Sequence, residues 1–126
     1  MGLIRFLIVS PEKDALQDLT NRLMLETDLE IHWADSGKEA LDSVSHDPVD
    51  LVITDEELGD MTGLEFAERL VMLNPLINCA AVSSLSPADF HEASEGLGLL
   101  AQIPEKPTGS DAENLMEKFY KIRCLF

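Results

Sequence analysis

Three side chains with complementary chemistry each follow a different short apolar run of this chain. Asp55 comes after VDLVIT, Ser83 after NCAAV, and Lys106 shortly after LLAQI. A carboxylate can act as a nucleophile or a metal ligand, a hydroxyl can donate a hydrogen bond, and an ammonium group can neutralise an anion. If folding brings the ends of these runs together, the three side chains would share one small polar pocket.

The apolar pattern predicts the elements that would position these residues. Short apolar or alternating runs bounded by turn signals are typical of strands, and they occur at residues 3–9, 29–33, 49–54, 78–83 and 99–103. Segments with helical spacing of apolar residues lie between and after them, at residues 11 to about 26, 36–46, 62 to about 73, 86–96 and 110 to about 123. The predicted helix caps are Ser10, Ser36, Thr62, Ser86 and Ser110.

Five alternations of strand and helix indicate an α/β fold. Right-handed crossovers then give a doubly wound, five-stranded parallel sheet with helices on both faces. Residues 1–126 contain no repeat, linker or low-complexity tract, so we expect a single domain. Ligands of such sheets bind outside the carboxyl ends of the strands, which is where Asp55, Ser83 and Lys106 are predicted to lie.

Composition excludes several classes of function. The net charge is -15, from 24 acidic and 9 basic residues, which argues against binding nucleic acid or an anionic membrane. The apolar runs are too short to span a membrane and the start lacks the pattern of a signal peptide, so we expect a cytoplasmic protein. The two cysteines, Cys79 and Cys124, have no metal or disulfide spacing, and Cys79 is expected to be a buried thiol.

The three polar segments resemble those of one family, the response-regulator receiver domains. The segment VDLVITDEELGDMTGLEF (residues 49–66) is similar to their phosphoacceptor segment, in which a buried strand, an aspartate, a Gly/Pro-Asp-Met-x-Gly turn and a helix follow one another. VSS (residues 82–84) resembles their Thr/Ser-Ala after the fourth strand, and EKP (residues 105–107) their Lys-Pro after the fifth. The resemblance covers essentially the whole chain and implies the flavodoxin-like receiver fold, with strand order 2-1-3-4-5.

The resemblance also implies roles in two-component signal transduction. Asp55 would accept a phosphoryl group from a histidine kinase or phosphotransfer protein, Ser83 would hydrogen-bond that group, and Lys106 would pair with its oxygens. Such a domain is not a classical enzyme, although it can dephosphorylate itself. Its output would pass to a downstream protein or a fused effector domain, through the face formed by the fourth helix, fifth strand and fifth helix.

The end of the first strand departs from the family pattern. Receiver domains usually carry two acids there that bind or orient Mg²⁺, and this chain has Ser10 and Pro11. Ser-Pro-Glu is by itself a good helix start. Glu12 and Glu57 could add carboxylates to Asp55, so the expected metal set is Asp55, Glu57 and Glu12, with weakened Mg²⁺ binding.

Several hypotheses about function therefore remain open. The first is a receiver domain that is phosphorylated on Asp55 in an impaired or atypical way and acts through partner binding. The second is a phosphorylation-independent interaction module. In either case, if no cation is bound, Lys106 could offset the repulsion of the clustered acids by pairing directly with Asp55. The third is a flavodoxin-like binder of a small cofactor, although the glycine-rich loop of dinucleotide sites is missing after the first strand.

Overall fold

The computed structural model of the chain describes residues 3–123. Outside this range lie Met1 and Gly2, and Cys124 with the two residues after it. The expectation about a signal peptide concerns the first of these segments. The strands are β1 (Ile4–Val9), β2 (Leu29–Ala34), β3 (Leu51–Thr54), β4 (Asn78–Val82) and β5 (Ala101–Ile103). The helices are α1 (Gln17–Leu23), α2 (Gly37–His46), α3 (Gly63–Leu73), α4 (Pro87–Ala93) and α5 (Gly109–Arg123), and a 3-10 turn (Lys13–Leu16) precedes α1.

The strands form one parallel sheet in the order β2-β1-β3-β4-β5, as predicted. In the register between β1 and β3, Val9 lies beside Thr54. The amide of Asp55 donates to the carbonyl oxygen of Val9 (2.9 Å), and the amide of Ser10 donates to that of Ala34 (3.0 Å). The residues after β1 and β3 therefore lie side by side at the carboxyl edge of the sheet.

Alternation of side chains along β1 builds a core on each face of the sheet, because successive strand residues point to opposite sides. Phe6 lies on the face covered by α1 and α5, where its ring meets that of Phe119 edge-on with centroids 5.2 Å apart. Leu7 lies on the opposite face, in a cluster with Phe66 of α3. This two-sided burial confirms the doubly wound architecture.

Most predicted caps are confirmed, and two are wrong. Ser36 and Ser86 accept from backbone amides of their helices, and Thr62 forms a reciprocal capping box with Glu65. The first helical turn starts at Lys13, two residues later than predicted, because Glu12 is not helical and Ser10 forms a local turn by accepting from its amide (3.0 Å). The last helix begins at Gly109, one residue earlier than predicted.

The start of α5 and the end of β5 are both set by the chemistry of neighbouring residues. Thr108, and not Ser110, lies at the start of α5, where its amide and hydroxyl both donate to Asp111 Oδ2 (2.8 and 3.1 Å). β5 is a three-residue edge strand that stops before Pro104, which has no amide to donate to a ladder.

Two features of composition have structural counterparts. Cys79 is buried as expected, and burial raises the pKa of its thiol to about 12. A thiol with that pKa stays protonated and unreactive at neutral pH. No helix within residues 3–123 is long and apolar enough to cross a membrane.

Candidate functional site

The Asp55 carboxylate accepts a hydrogen bond at each of its oxygens. Ser10 Oγ lies 2.7 Å from Oδ2, and the amide of Glu56 donates to Oδ1 (2.7 Å). Ser10 Oγ is also 3.1 Å from the carbonyl oxygen of Glu12. A hydroxyl has one proton, and we assign it to the carboxylate because that contact is shorter and its acceptor is charged. Ser10, which the sequence placed as a helix cap, therefore binds the predicted acceptor.

The backbone around Asp55 is held by the start of α3 and by Thr54. The amide of Gly63 donates to the carbonyl oxygen of Glu56 (2.8 Å), and Thr54 Oγ1 donates to that of Asp55 (3.0 Å). A Cβ atom on residue 63 would collide with the Asp55 carbonyl oxygen. The glycine of the turn-helix segment is thus required by close approach of two backbones, which fixes the position of Asp55.

Asp60 joins the loop after β3 to the start of α2. Its Oδ1 accepts from the amide of Gly37 (3.0 Å), and its Oδ2 accepts from the amide of Lys38 (2.9 Å). Both bonds lower the pKa of the Asp60 carboxyl, and the bond from Lys38 has the larger effect. No local sequence pattern predicts these contacts of Asp60, because its partners are 22 and 23 residues away along the chain.

Glu56 contacts the end of the neighbouring strand. Its Oε2 accepts from both the amide (2.8 Å) and the hydroxyl (3.0 Å) of Ser84. A solvated loop acid would leave these donors to water, whereas here one carboxylate oxygen binds both. The loops after β3 and β4 are therefore joined directly beside Asp55.

Ser83 is buried at the carboxyl end of β4 but does not bond to Asp55 in the described residues. Its amide donates to the carbonyl oxygen of Ile103 (2.9 Å), and its Oγ accepts from the amide of Leu85 (3.1 Å). A hydroxyl that accepts one bond still has its own proton to donate. Ser83 thus lies at the predicted end of the strand, and its hydroxyl proton is not donated to Asp55.

Lys106 lines an open cleft of about 490 Å³ together with Pro11, Glu12, Asp55 and Glu57. Its backbone has a φ of 50°, in the left-handed region that residues with a side chain rarely adopt. Within residues 3–123, no salt bridge joins Lys106 to Asp55, so the direct pair that the sequence suggested is not formed. Asp55 and Lys106 nevertheless both line this one cleft.

The acids of this cleft do not fit a magnesium site as they are arranged. Glu12 and Glu57 are exposed, and no group of three or more His, Cys, Asp or Glu side chains in the described part of the chain could hold a metal ion. Oδ2 of Asp55 accepts a hydrogen bond from Ser10, and Pro11 has no side-chain oxygen that could bind a metal ion. A divalent cation needs several oxygen ligands, and the end of β1 supplies no carboxylate.

The same architecture occurs in known proteins. The chain is 20% identical to Sporulation initiation phosphotransferase F of Bacillus subtilis (strain 168) over 117 residues, which cover 93% of this chain and 94% of that protein. A receiver domain protein (CheY-like) from Methanospirillum hungatei JF-1 matches with a TM-score of 0.85 and 25% identity, covering 99% of this chain and 100% of that one. The chemotaxis response regulator CheY4 of Vibrio cholerae matches with a TM-score of 0.82 and 17% identity, covering 94% and 99%.

The family itself is shown by a match along the sequence. The model of the response regulator receiver domain matches residues 6–118. That range includes Asp55, Ser83 and Lys106, together with the carboxyl ends of all five strands. Because the match spans most of its length, this chain belongs to the family of response regulator receiver domains, which act in two-component signalling.

Proposed function

We propose that residues 1–126 form one receiver domain that accepts a phosphoryl group on Asp55 in an atypical, weakly metal-assisted way and acts through protein partners. The observation that supports this most is the Asp55 carboxylate, which hydrogen bonds hold in position at the opening of the cleft that Lys106 also lines. Receiver domains interact with histidine kinases or phosphotransfer proteins and with effectors. The partners proposed here are of those classes, and the relative from Bacillus subtilis carries the name of a phosphotransferase.

The proposed reaction is a phosphoryl transfer. An oxygen of Asp55 attacks phosphorus, an O–P bond forms, and the bond from phosphorus to the donor nitrogen or oxygen breaks with its electron pair leaving on the donor. The ammonium group of Lys106 neutralises charge on the phosphoryl oxygens, and the hydroxyl of Ser83 donates to one of them.

Weak metal assistance follows from the composition of the cleft. Glu12 and Glu57 are its candidate ligands beside Asp55, and both are exposed side chains on different loops. Bringing them to one ion would cost side-chain and loop entropy that a preformed acidic pair avoids. We therefore expect phosphorylation to be slow.

Intact-mass spectrometry tests this proposal. The protein is incubated with a small phosphodonor, such as acetyl phosphate or phosphoramidate, and the mass gain of one phosphoryl group is followed over time. Wild type should gain it, Asp55→Asn should not, and Asp18→Asn, which changes an exposed acid on α1, should behave as wild type. Absence of any gain in wild type, or a gain that survives Asp55→Asn, would contradict the proposal.

The alternative is a phosphorylation-independent interaction module, and the bond between Glu56 and Ser84 favours it. It already joins the loops after β3 and β4, so these loops could be fixed without phosphate. In that case the α4, β5 and α5 face would be constant or set by a partner. Nuclear magnetic resonance distinguishes the two functions, because amide shifts on this face should respond to a phosphodonor only in the first. Family membership favours both over a flavodoxin-like cofactor binder.

A further inference from the structure

We propose that Ser10 is the positioning residue of Asp55, and that its hydroxyl takes the place of a divalent cation at Oδ2. The inference rests on the proposed function, in which Asp55 is the phosphoacceptor. It adds a residue to the machinery and predicts that the chemistry at Asp55 is nearly independent of Mg²⁺. It follows from three features of Ser10: its burial, its fixed orientation and the charge that it lacks.

Ser10 is held in one orientation by three strands. Its side chain is 0% exposed, at the end of β1 between β2 and β3. Its amide donates to the carbonyl oxygen of Ala34 (3.0 Å), and its Oγ accepts from the amide of Glu12 (3.0 Å). Its single proton has two acceptors in reach, the carbonyl oxygen of Glu12 at 3.1 Å and Asp55 Oδ2 at 2.7 Å, and we assign it to the shorter contact with the carboxylate. A donor held in this way positions its acceptor without reorganising during the reaction.

The hydroxyl and a cation would compete for the same oxygen. A cation that took the lone pair of Oδ2 to which Ser10 donates would gain no charged ligand from Ser10 or from Pro11. Displacing the proton would also break a short, charge-assisted hydrogen bond that is partly buried. The observed arrangement therefore favours the bound hydroxyl over a bound metal ion.

Replacement at residue 10 separates positioning from folding. Ser10→Ala removes the proton donor, and Ser10→Thr retains it with one added methyl group. We expect the phosphorylation rate of wild type to change less than about threefold between Mg²⁺ and EDTA, and that of Ser10→Ala to fall by about tenfold in both. Ser10→Thr should restore most of the rate. Melting curves check that each variant is folded.

Two outcomes of this rate experiment would overturn the proposal. One is stimulation of wild type by Mg²⁺ of more than about tenfold, which is the behaviour of a metal-assisted site. The other is a folded Ser10→Ala variant that reacts as fast as wild type. If Ser10→Ala lost activity only because its packing was disturbed, Ser10→Thr, which adds a methyl group, would not restore the rate. Rescue by threonine therefore distinguishes positioning from packing.

A second measurement does not depend on phosphorylation. A buried hydroxyl proton bonded to a carboxylate exchanges slowly, so the Ser10 hydroxyl should give a resonance in wild type that shifts in Asp55→Asn and persists when Mg²⁺ is added. If this resonance is present while no phosphoryl group is accepted, the proposed function fails and the role of Ser10 stands. If it is absent, or if Mg²⁺ removes it, the inference about Ser10 is wrong whatever the rate experiment shows.

Discussion

Glu56 and Ser84 are joined by two hydrogen bonds to one carboxylate oxygen, across the gap between the ends of β3 and β4. The amide and the hydroxyl of Ser84 lie 2.8 and 3.0 Å from Glu56 Oε2. Because Glu56 Oε2 already accepts from both donors, an anion that approached them would have to displace this carboxylate. Glu56 also directly follows Asp55 in the chain. The connection therefore couples the order of the two loops to the position of the predicted acceptor.

Removing this carboxylate should loosen the loop after β4. In Glu56→Ala, the amide of Ser84 loses its acceptor, and we expect its hydrogen exchange to accelerate by about tenfold. The global stability should fall by only about 1 kcal/mol, since the contact is exposed. Glu57→Ala changes the neighbouring exposed acid, which has no side-chain bond to Ser84 in the described residues, and serves as the control. Equal exchange rates in the two variants would show that Glu56 does not hold this loop.

Asp60 should make stability depend on pH. Its pKa is lowered in the folded protein by the amides of Lys38 and Gly37, so its contribution is present above the unfolded-state value of 3.8 and is lost as pH falls through the lower folded value. Asp60→Ala should therefore be less stable than wild type near about pH 6, and the difference should shrink toward about pH 3.

Chemical denaturation at a series of pH values measures this effect. Asp35→Ala, which replaces an exposed acid just before α2, is the matched control and should show little such convergence. A difference between Asp60→Ala and wild type that stays constant over the whole range would mean that the hydrogen bonds to Gly37 and Lys38 do not depend on the charge of Asp60.

A methyl group at residue 63 should displace Asp55. Gly63→Ala places a Cβ against the Asp55 carbonyl oxygen, and we expect a loss of about 1–3 kcal/mol in the free energy of unfolding. Gly109→Ala is the control, because it is also the first residue of a helix and a Cβ there meets only the Arg22 side chain at 3.6 Å. Urea unfolding should show Gly109→Ala as neutral or stabilising, and equal effects of the two changes would contradict the close approach.

Backbone strain at Lys106 should be visible in a pair of substitutions. Glycine adopts a φ of 50° without the steric cost of a Cβ, so Lys106→Gly should be more stable than Lys106→Ala by about 1 kcal/mol. Both variants lose the ammonium group, so both should be phosphorylated more slowly. At Glu105, whose φ is not positive, the order should reverse, because glycine has the greater unfolded-state entropy. Thermal unfolding of the four variants checks the comparison, and alanine matching glycine at residue 106 would remove the evidence for strain.

The sequence was sufficient for the fold because strands, helices and most caps depend on residues close together in the chain. The contacts of the site depend on residues far apart. Ser10 and Asp55 are 45 positions apart, and the segment Ser-Pro-Glu has the same composition whether it caps a helix or directs a hydroxyl across the sheet. Only the register of β1 against β3 decides between these two roles. The same holds for Glu56 and Ser84, whose separation of 28 residues leaves no local pattern.

A magnesium titration tests most directly the claim that the end of β1 holds the acceptor by a hydroxyl and not by a cation. Amide shifts of residues 55–57 are followed in wild type and in the double variant Ser10→Asp/Pro11→Asp, which supplies two carboxylates where β1 ends. We predict that the double variant binds Mg²⁺ at least about tenfold more tightly, because a hard cation gains charged oxygen ligands. Equal affinity in the two proteins would contradict the account.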